Sequence, residues 1–201
     1  MTEMKNRLMQ ALKNDMTRIP ALTAGNPSLA ETKRQLLELA AEGVKAVQLV
    51  LPFSDPVAAD PREQERNLKA LAAGYTTDGL FAMLEEVRKE EDMALVLITY
   101  ANPVFIYGID RFFTRCEKTG VGGILMQDVP LEEEGEFTPA AKAHGVAVIR
   151  IACSMNEARL AKIVDGAEGF IYLASRPEAG KPDLLREKAA SMTALPLIYL
   201  P

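Results

Sequence analysis

The chain has 201 residues, 48% hydrophobic and 25% charged, which is enough apolar mass for one substantial core and too little for two, so a single domain over residues 1–201 is expected. A formal net charge of -5 and an isoelectric point near 5.1 oppose a nucleic-acid or anionic-membrane surface, because either partner would repel an acidic body. The two cysteines lie far apart and outside metal-ligand spacing, no apolar leader precedes Met16, and charged residues interrupt every apolar run; these features predict a soluble protein of the reducing cytoplasm with no metal and no membrane span.

After a polar start, short apolar runs alternate with longer amphipathic ones, the pattern of strands buried on both faces and helices buried on one. In chain order the reading predicts a strand over 19–24, a helix over 29–42, a strand over 46–51 and an extra helix over 61–74 in a long connection. A turn over 75–79 follows, then a helix over 82–89, a strand over 94–100, a helix over 110–118 and a strand over 123–128. The remainder reads as a helix over 139–144, a strand over 147–153, a helix over 157–164, a strand over 169–174, a helix over 184–192 and a strand over 195–200. In the first helix Leu36, Leu37, Leu39 and Ala40 share a side, and Gly43, Gly120 and Gly145 stand where helices should stop. Seven strand-helix units fit either an open doubly wound sheet or a closed barrel. The turn Thr23-Ala24-Gly25-Asn26-Pro27 lacks the G-x-G-x-x-G spacing of a dinucleotide site, which weakens the open-sheet cofactor reading.

In either architecture function belongs at the carboxyl ends of the strands, so the strand-to-helix connections carry the information. The most distinctive runs from Gln48 through Pro52-Phe53-Ser54-Asp55-Pro56 to Asp60-Pro61, where repeated prolines stiffen a loop directly after a buried strand. Elsewhere the reading is structural. His144, beside Gly145 at a helix end, suits a surface cap. Cys116 and Cys153 suit small buried fillers, and the acidic run 132–136 suits a solvated helix start. Arg150 interrupts an apolar strand and marks either a pocket or a paired carboxylate.

The segment 48–61 resembles the second strand and loop of the tryptophan synthase alpha subunit, whose pattern runs E-L-G-x-P-F-S-D-P-x-A-D-G-P. The run Ile19 to Pro27 is similar to that family's first strand and turn, and Tyr100-Ala101-Asn102-Pro103-Val104-Phe105 to its third. Asp128-Val129-Pro130 and Ser175-Arg176 follow in order after the fourth and sixth strands. This resemblance covers essentially the whole chain and implies a TIM-type barrel, with seven of its eight units recognisable. The family's reaction is retro-aldol cleavage of indole-3-glycerol phosphate to indole and glyceraldehyde 3-phosphate, in partnership with a beta subunit that carries the pyridoxal phosphate; the alpha chain itself needs no cofactor.

That chemistry requires a general acid and a general base. The resemblance places Gln48 and Ala59 where the family carries its two carboxylates, with Asp60 one residue late. It places Ile98, Asp128 and Tyr172 around an indole pocket, Asp128 accepting the indole N–H, and Gly180 in the phosphate loop. Pro52, Asp55, Pro56, Asn102, Phe105 and Pro130 fall on the face toward the beta subunit. Three functions are therefore expected to compete. They are the family's lyase, a catalytically silent homologue that binds a beta-type subunit or an indole-like ligand, and a different barrel activity using Asp60, Asp128 or Arg150. A seven-stranded remnant also leaves strand edges open, which predicts edge-mediated self-association or a longer natural chain.

Overall fold

The computed structural model describes residues 3–13, 19–153, 155–174 and 183–199. Helix α1 (Glu3–Ala11) precedes β1 (Ala21–Thr23), α2 (Leu29–Ala41), β2 (Ala46–Val50), α3 (Pro61–Ala72), α4 (Thr77–Glu90), β3 (Ala94–Thr99) and α5 (Ala101–Tyr107). The chain continues through α6 (Ile109–Thr119), β4 (Val121–Met126), a single 3-10 turn (Glu134–Glu136), α7 (Thr138–Ala143), β5 (Ala147–Val148) and β6 (Arg150–Ala152). It ends with α8 (Glu157–Val164), β7 (Ile171–Leu173), α9 (Leu184–Ala190) and β8 (Leu197–Tyr199).

Among the described residues every strand pairing is parallel. The order β1-β2-β3-β4-β5 in one sheet and β6-β7-β8 in the other follows the sequence without reversal. A doubly wound sheet reverses its strand order at a switch point, so this topology selects the singly wound barrel that periodicity alone leaves open. Only Ile149 separates β5 from β6, so the predicted strand 147–153 runs from one sheet into the other. Among the described residues, the outer edges of β1 and β8 carry no strand partner.

Alternation along the strands sorts their side chains into layers. Val50, Val96, Ile98, Leu125, Ile149 and Tyr172 form an interior cluster. Val47, Leu49, Leu95 and Leu97 face outward against Leu36, Leu84 and Phe112 of the helices. Leu173 and Leu197 meet Leu160 and Leu185 in a separate outer cluster.

Helix α1, read as a polar start, is an addition to the predicted elements. Its Leu8 joins the interior cluster, and it lies so close to β4 that a Cβ on Gly122 would sit 2.8 Å from the Met4 carbonyl oxygen. Glycine is the residue that permits this approach. Helix α5 is the second addition. Its Pro103 occupies the first turn, where an N–H has no intrahelical acceptor and proline is tolerated.

Three further expectations are corrected. Residues 75–79 are not all turn, because the Thr76 hydroxyl accepts the Gly79 N–H at 3.0 Å and starts α4 there. Cys153 is exposed, whereas Cys116 is buried as expected. The acidic run 132–136 is not merely solvated, since Glu132 pairs with Arg159 and Glu134 with Arg150.

His144 caps α7 and joins it to α6. Its Nδ1 lies 2.7 Å from the Glu117 carboxylate and its Nε2 3.4 Å from Asp110. The hydrogen bond to Glu117, with a smaller one to Asp110, lifts the imidazole above its ordinary value of 6.5. A raised folded-state value stabilises the protein fully below the unfolded value, and the contribution is lost as pH climbs through the folded one. The denaturation midpoint of wild type relative to His144→Gln is therefore expected to be highest below pH 6.5 and to decline above it; a difference that does not change with pH would contradict the pairing.

Candidate functional site

The carboxyl ends of β1 to β4 converge on a mouth whose loops are tied to one another. After β2 the chain is stiffened by Pro52 and Pro56, both buried. The Phe53 ring packs 5.2 Å from that of Tyr100, and the Tyr100 hydroxyl accepts the Ala58 N–H at 3.2 Å. Asp128, after β4, accepts the Ala101 N–H at 2.8 Å. Its carboxylate thereby satisfies one of the orphan donors at the start of α5 and favours the positive end of that helix.

Asp60 is exposed and caps α3, accepting the Glu63 N–H at 2.8 Å. That backbone donation holds its carboxyl below the usual carboxylate range. Ala59 is buried, with its N–H on the Pro56 carbonyl at 3.0 Å and its own carbonyl accepting from Gln64 Nε2 at 2.9 Å. Asp60 does border a cleft of about 590 Å³ beside β1, together with Thr23, Val50, Glu63 and Arg66. Sequence reasoning passed over Glu63. Burial pushes its carboxyl up, and its Oε1 has no hydrogen-bond partner.

Gln48 is fully buried in the barrel. Its Nε2 donates to the Ile19 carbonyl at 2.7 Å, and the Tyr172 hydroxyl donates to its Oε1. Burial lifts the Tyr172 phenol well above its ordinary value, so it remains a neutral donor. An amide serves both neighbours because it offers an acceptor and a donor on one planar group; a carboxylate offers acceptors only. Ile98 belongs to the same interior cluster.

Pro52, Asp55, Pro56, Asn102, Phe105 and Pro130 all lie on these carboxyl-end connections. Asp55, Asn102 and Pro130 are exposed. Phe105 is 48% exposed while its ring lies tilted against that of Phe137, centroids 5.0 Å apart, and Ile106 and Val57 are 79% and 83% exposed. Large apolar side chains are thus presented at the rim, held by ties beneath them. Gly180 and the Ser175-Arg176 motif lie outside the described residues.

A second cleft of about 590 Å³ opens where β4 and β6 part, lined among others by Gln127, Arg150 and Ile163. Arg150 is partnered rather than free: Nε meets Glu134 at 2.9 Å and Nη1 meets the Ile163 carbonyl at 2.9 Å. Its position in an apolar run was the one sequence signal for this region. Among the described residues no cluster of three or more His, Cys, Asp or Glu has metal-binding geometry, and no helix is long and apolar enough to cross a membrane.

A sequential parallel sheet wrapped by helices, with its connections gathered at the strands' carboxyl ends, is a β/α barrel of the TIM type. The sequence profile described as tryptophan synthase alpha chain matches residues 8–182. The tryptophan synthase alpha chain of Geotalea uraniireducens is 39% identical over 166 residues, 82% of this chain and 62% of its own length. That of Shewanella oneidensis is 42% identical over 160 residues, 79% and 58% of the two lengths. Among solved structures, the alpha subunit from Legionella pneumophila superposes with a TM-score of 0.89 at 26% identity, covering 99% of this chain and 78% of that one. The tryptophan synthase α2β2 complex from Pyrococcus furiosus gives 0.83 at 32% identity, with 92% and 77% covered. The chain belongs to the tryptophan synthase alpha chain family. It spans about three fifths of the length of these two curated relatives.

The Gln48 arrangement makes a testable statement about the position. In Gln48→Glu only the protonated acid can donate to Ile19, so the folded-state pKa of the new carboxyl must exceed its unfolded value. A raised value contributes stability at low pH and loses it as pH rises, by roughly 1.4 kcal/mol per unit of elevation. Urea midpoints of the variant, measured against wild type from acid to neutral pH, are expected to fall progressively; a constant gap would show that residue 48 is not buried against acceptors.

Proposed function

We propose that this chain, a single barrel unit over residues 1–201, works by docking in the cytoplasm against a beta-type subunit that carries pyridoxal phosphate. The family's retro-aldol cleavage is not run through positions 48 and 59. The observation that carries this reading is a contrast on one face of the barrel. The rim presents Val57, Phe105 and Ile106 to solvent, while Gln48 beneath it is committed to Ile19 and Tyr172 and Ala59 has no ionisable group.

Each element has a physical rationale. Exposed aromatic and aliphatic side chains on a braced loop and a short helix are suitable anchors, because they bury apolar area with little loss of conformational freedom. An amide cannot exchange protons at neutral pH, so Gln48 supplies orientation and not acid–base catalysis. Asp60 and Asp128 accept backbone N–H groups at the starts of α3 and α5, which supports structural roles for both.

Phe105→Glu places a charge at the centre of the docking face, where desolvating it without a partner is costly. On a sizing column the wild-type chain is expected to co-migrate with the beta subunit of a relative, and the variant to need at least about tenfold more partner for the same shift, the equivalent of 1.4 kcal/mol. A wild-type chain that stays apart from the beta subunit would refute docking, as would a variant that binds equally well.

A further inference from the structure

Two clefts each border a buried side-chain oxygen without a hydrogen-bond partner, Gln127 Oε1 where β4 and β6 part and Glu63 Oε1 beside β1. The basic groups around the first are paired, Arg150 with Glu134 and Arg159 with Glu132. The basic group at the second is not. Arg66 reaches that cleft and, unlike Arg34, Arg150 and Arg159, forms no ion pair with a described carboxylate. It follows Glu63 by three residues on α3, the spacing at which helical side chains are neighbours, yet the two do not close on each other.

The cleft beside β1, of about 590 Å³, runs along that strand from Ile19 to Thr23, and Tyr199 of β8 completes its lining. Ile19 and Val50, both of the interior cluster, give it apolar walls together with Leu22. Thr23 and Asn26 bring a hydroxyl and an amide to the same space. From α3, the carboxyls of Asp60 and Glu63 share the cleft with the Arg66 guanidinium. Asp60 already holds the Glu63 N–H at 2.8 Å. Burial drives the Glu63 carboxyl toward its neutral form, an effect that a positive charge beside it opposes. In this cleft an anion meets two acids and a cation meets a guanidinium. A ligand that carries both charges close together avoids both repulsions.

We propose that this cleft binds a free α-amino acid with an apolar side chain, its ammonium on Glu63 and Asp60 and its carboxylate on Arg66. Guanidinium and carboxylate match in bidentate geometry, and Ile19, Leu22 and Val50 take the side chain. The volume falls within the range of small-molecule sites, about 300–1,000 Å³. The site uses neither Gln48 nor the exposed rim of Phe105 and Ile106, so its failure would leave docking intact, and failure of docking would leave it intact.

Equilibrium dialysis of the chain against labelled L-leucine tests the assignment. Leucinamide, which lacks the carboxylate, and 4-methylpentanoate, which lacks the ammonium, serve as competitors. Leucine is expected to bind saturably, and each analogue at least about tenfold more weakly. Arg66→Gln is expected to weaken leucine by a similar factor while leaving leucinamide where it was, and Glu63→Gln to weaken leucine while binding 4-methylpentanoate no less well. Absence of saturable leucine binding would overturn the proposal, as would equal binding of either analogue by wild type or a leucine affinity that Arg66→Gln leaves unchanged. If Glu63→Gln does not fold, the exposed Arg66 and the three ligands on wild type still decide the matter.

Discussion

One amide at the centre of the barrel joins its two sheets. Gln48 stands on β2 of the five-stranded sheet, takes a hydrogen bond from Tyr172 on β7 of the three-stranded sheet, and donates to the Ile19 carbonyl just before β1. Apolar burial is non-directional and does not by itself fix how two curved sheets face each other. A satisfied, buried hydrogen bond does, because misalignment leaves costly orphan groups. The interior cluster of Val50, Val96, Ile98 and Leu125 supplies the bulk of the attraction, and the Gln48 tie supplies its register.

The same economy governs the acids around the mouth. Asp60 holds the start of α3, Asp128 the start of α5, and Glu134 the guanidinium of Arg150. Each carboxylate is occupied with the backbone or with a fixed cation, and these contacts position the loops that form the rim. Glu63 differs, being driven toward the neutral form by burial and keeping one oxygen unpartnered. The carboxyl-end face is thus braced by its acids, while Gln48 beneath it belongs to the framework.

Much of this architecture was legible in the sequence because buried parallel strands leave compact apolar runs and amphipathic helices leave periodic ones. The stiff loop from Pro52 to Pro61 and the motif Tyr100 to Phe105 marked two connections that the structure ties together at the carboxyl ends of the strands. The barrel class was not legible from periodicity; it came from the resemblance and is borne out by the unreversed strand order and by the superposition on alpha subunits. Helix α1 escaped detection because its segment Glu3–Ala11 is mostly polar, and its role depends on a contact with Gly122 more than a hundred positions away. The break at Ile149 left only a weak trace, since an arginine within an apolar run is compatible with a pocket or a pair, and here it serves both. Gln127 left no trace at all, because an unmet hydrogen bond is a property of packing and not of spacing.

On the proposed function, the family's proton chemistry has left positions 48 and 59 and has not been taken up by Asp60. Indole release from indole-3-glycerol phosphate, followed with a beta subunit present, tests it most directly. Release no faster than in a protein-free blank is expected for both the wild-type chain and Asp60→Asn. Release above the blank by the wild-type chain that disappears in Asp60→Asn would contradict it and make Asp60 the acid–base group.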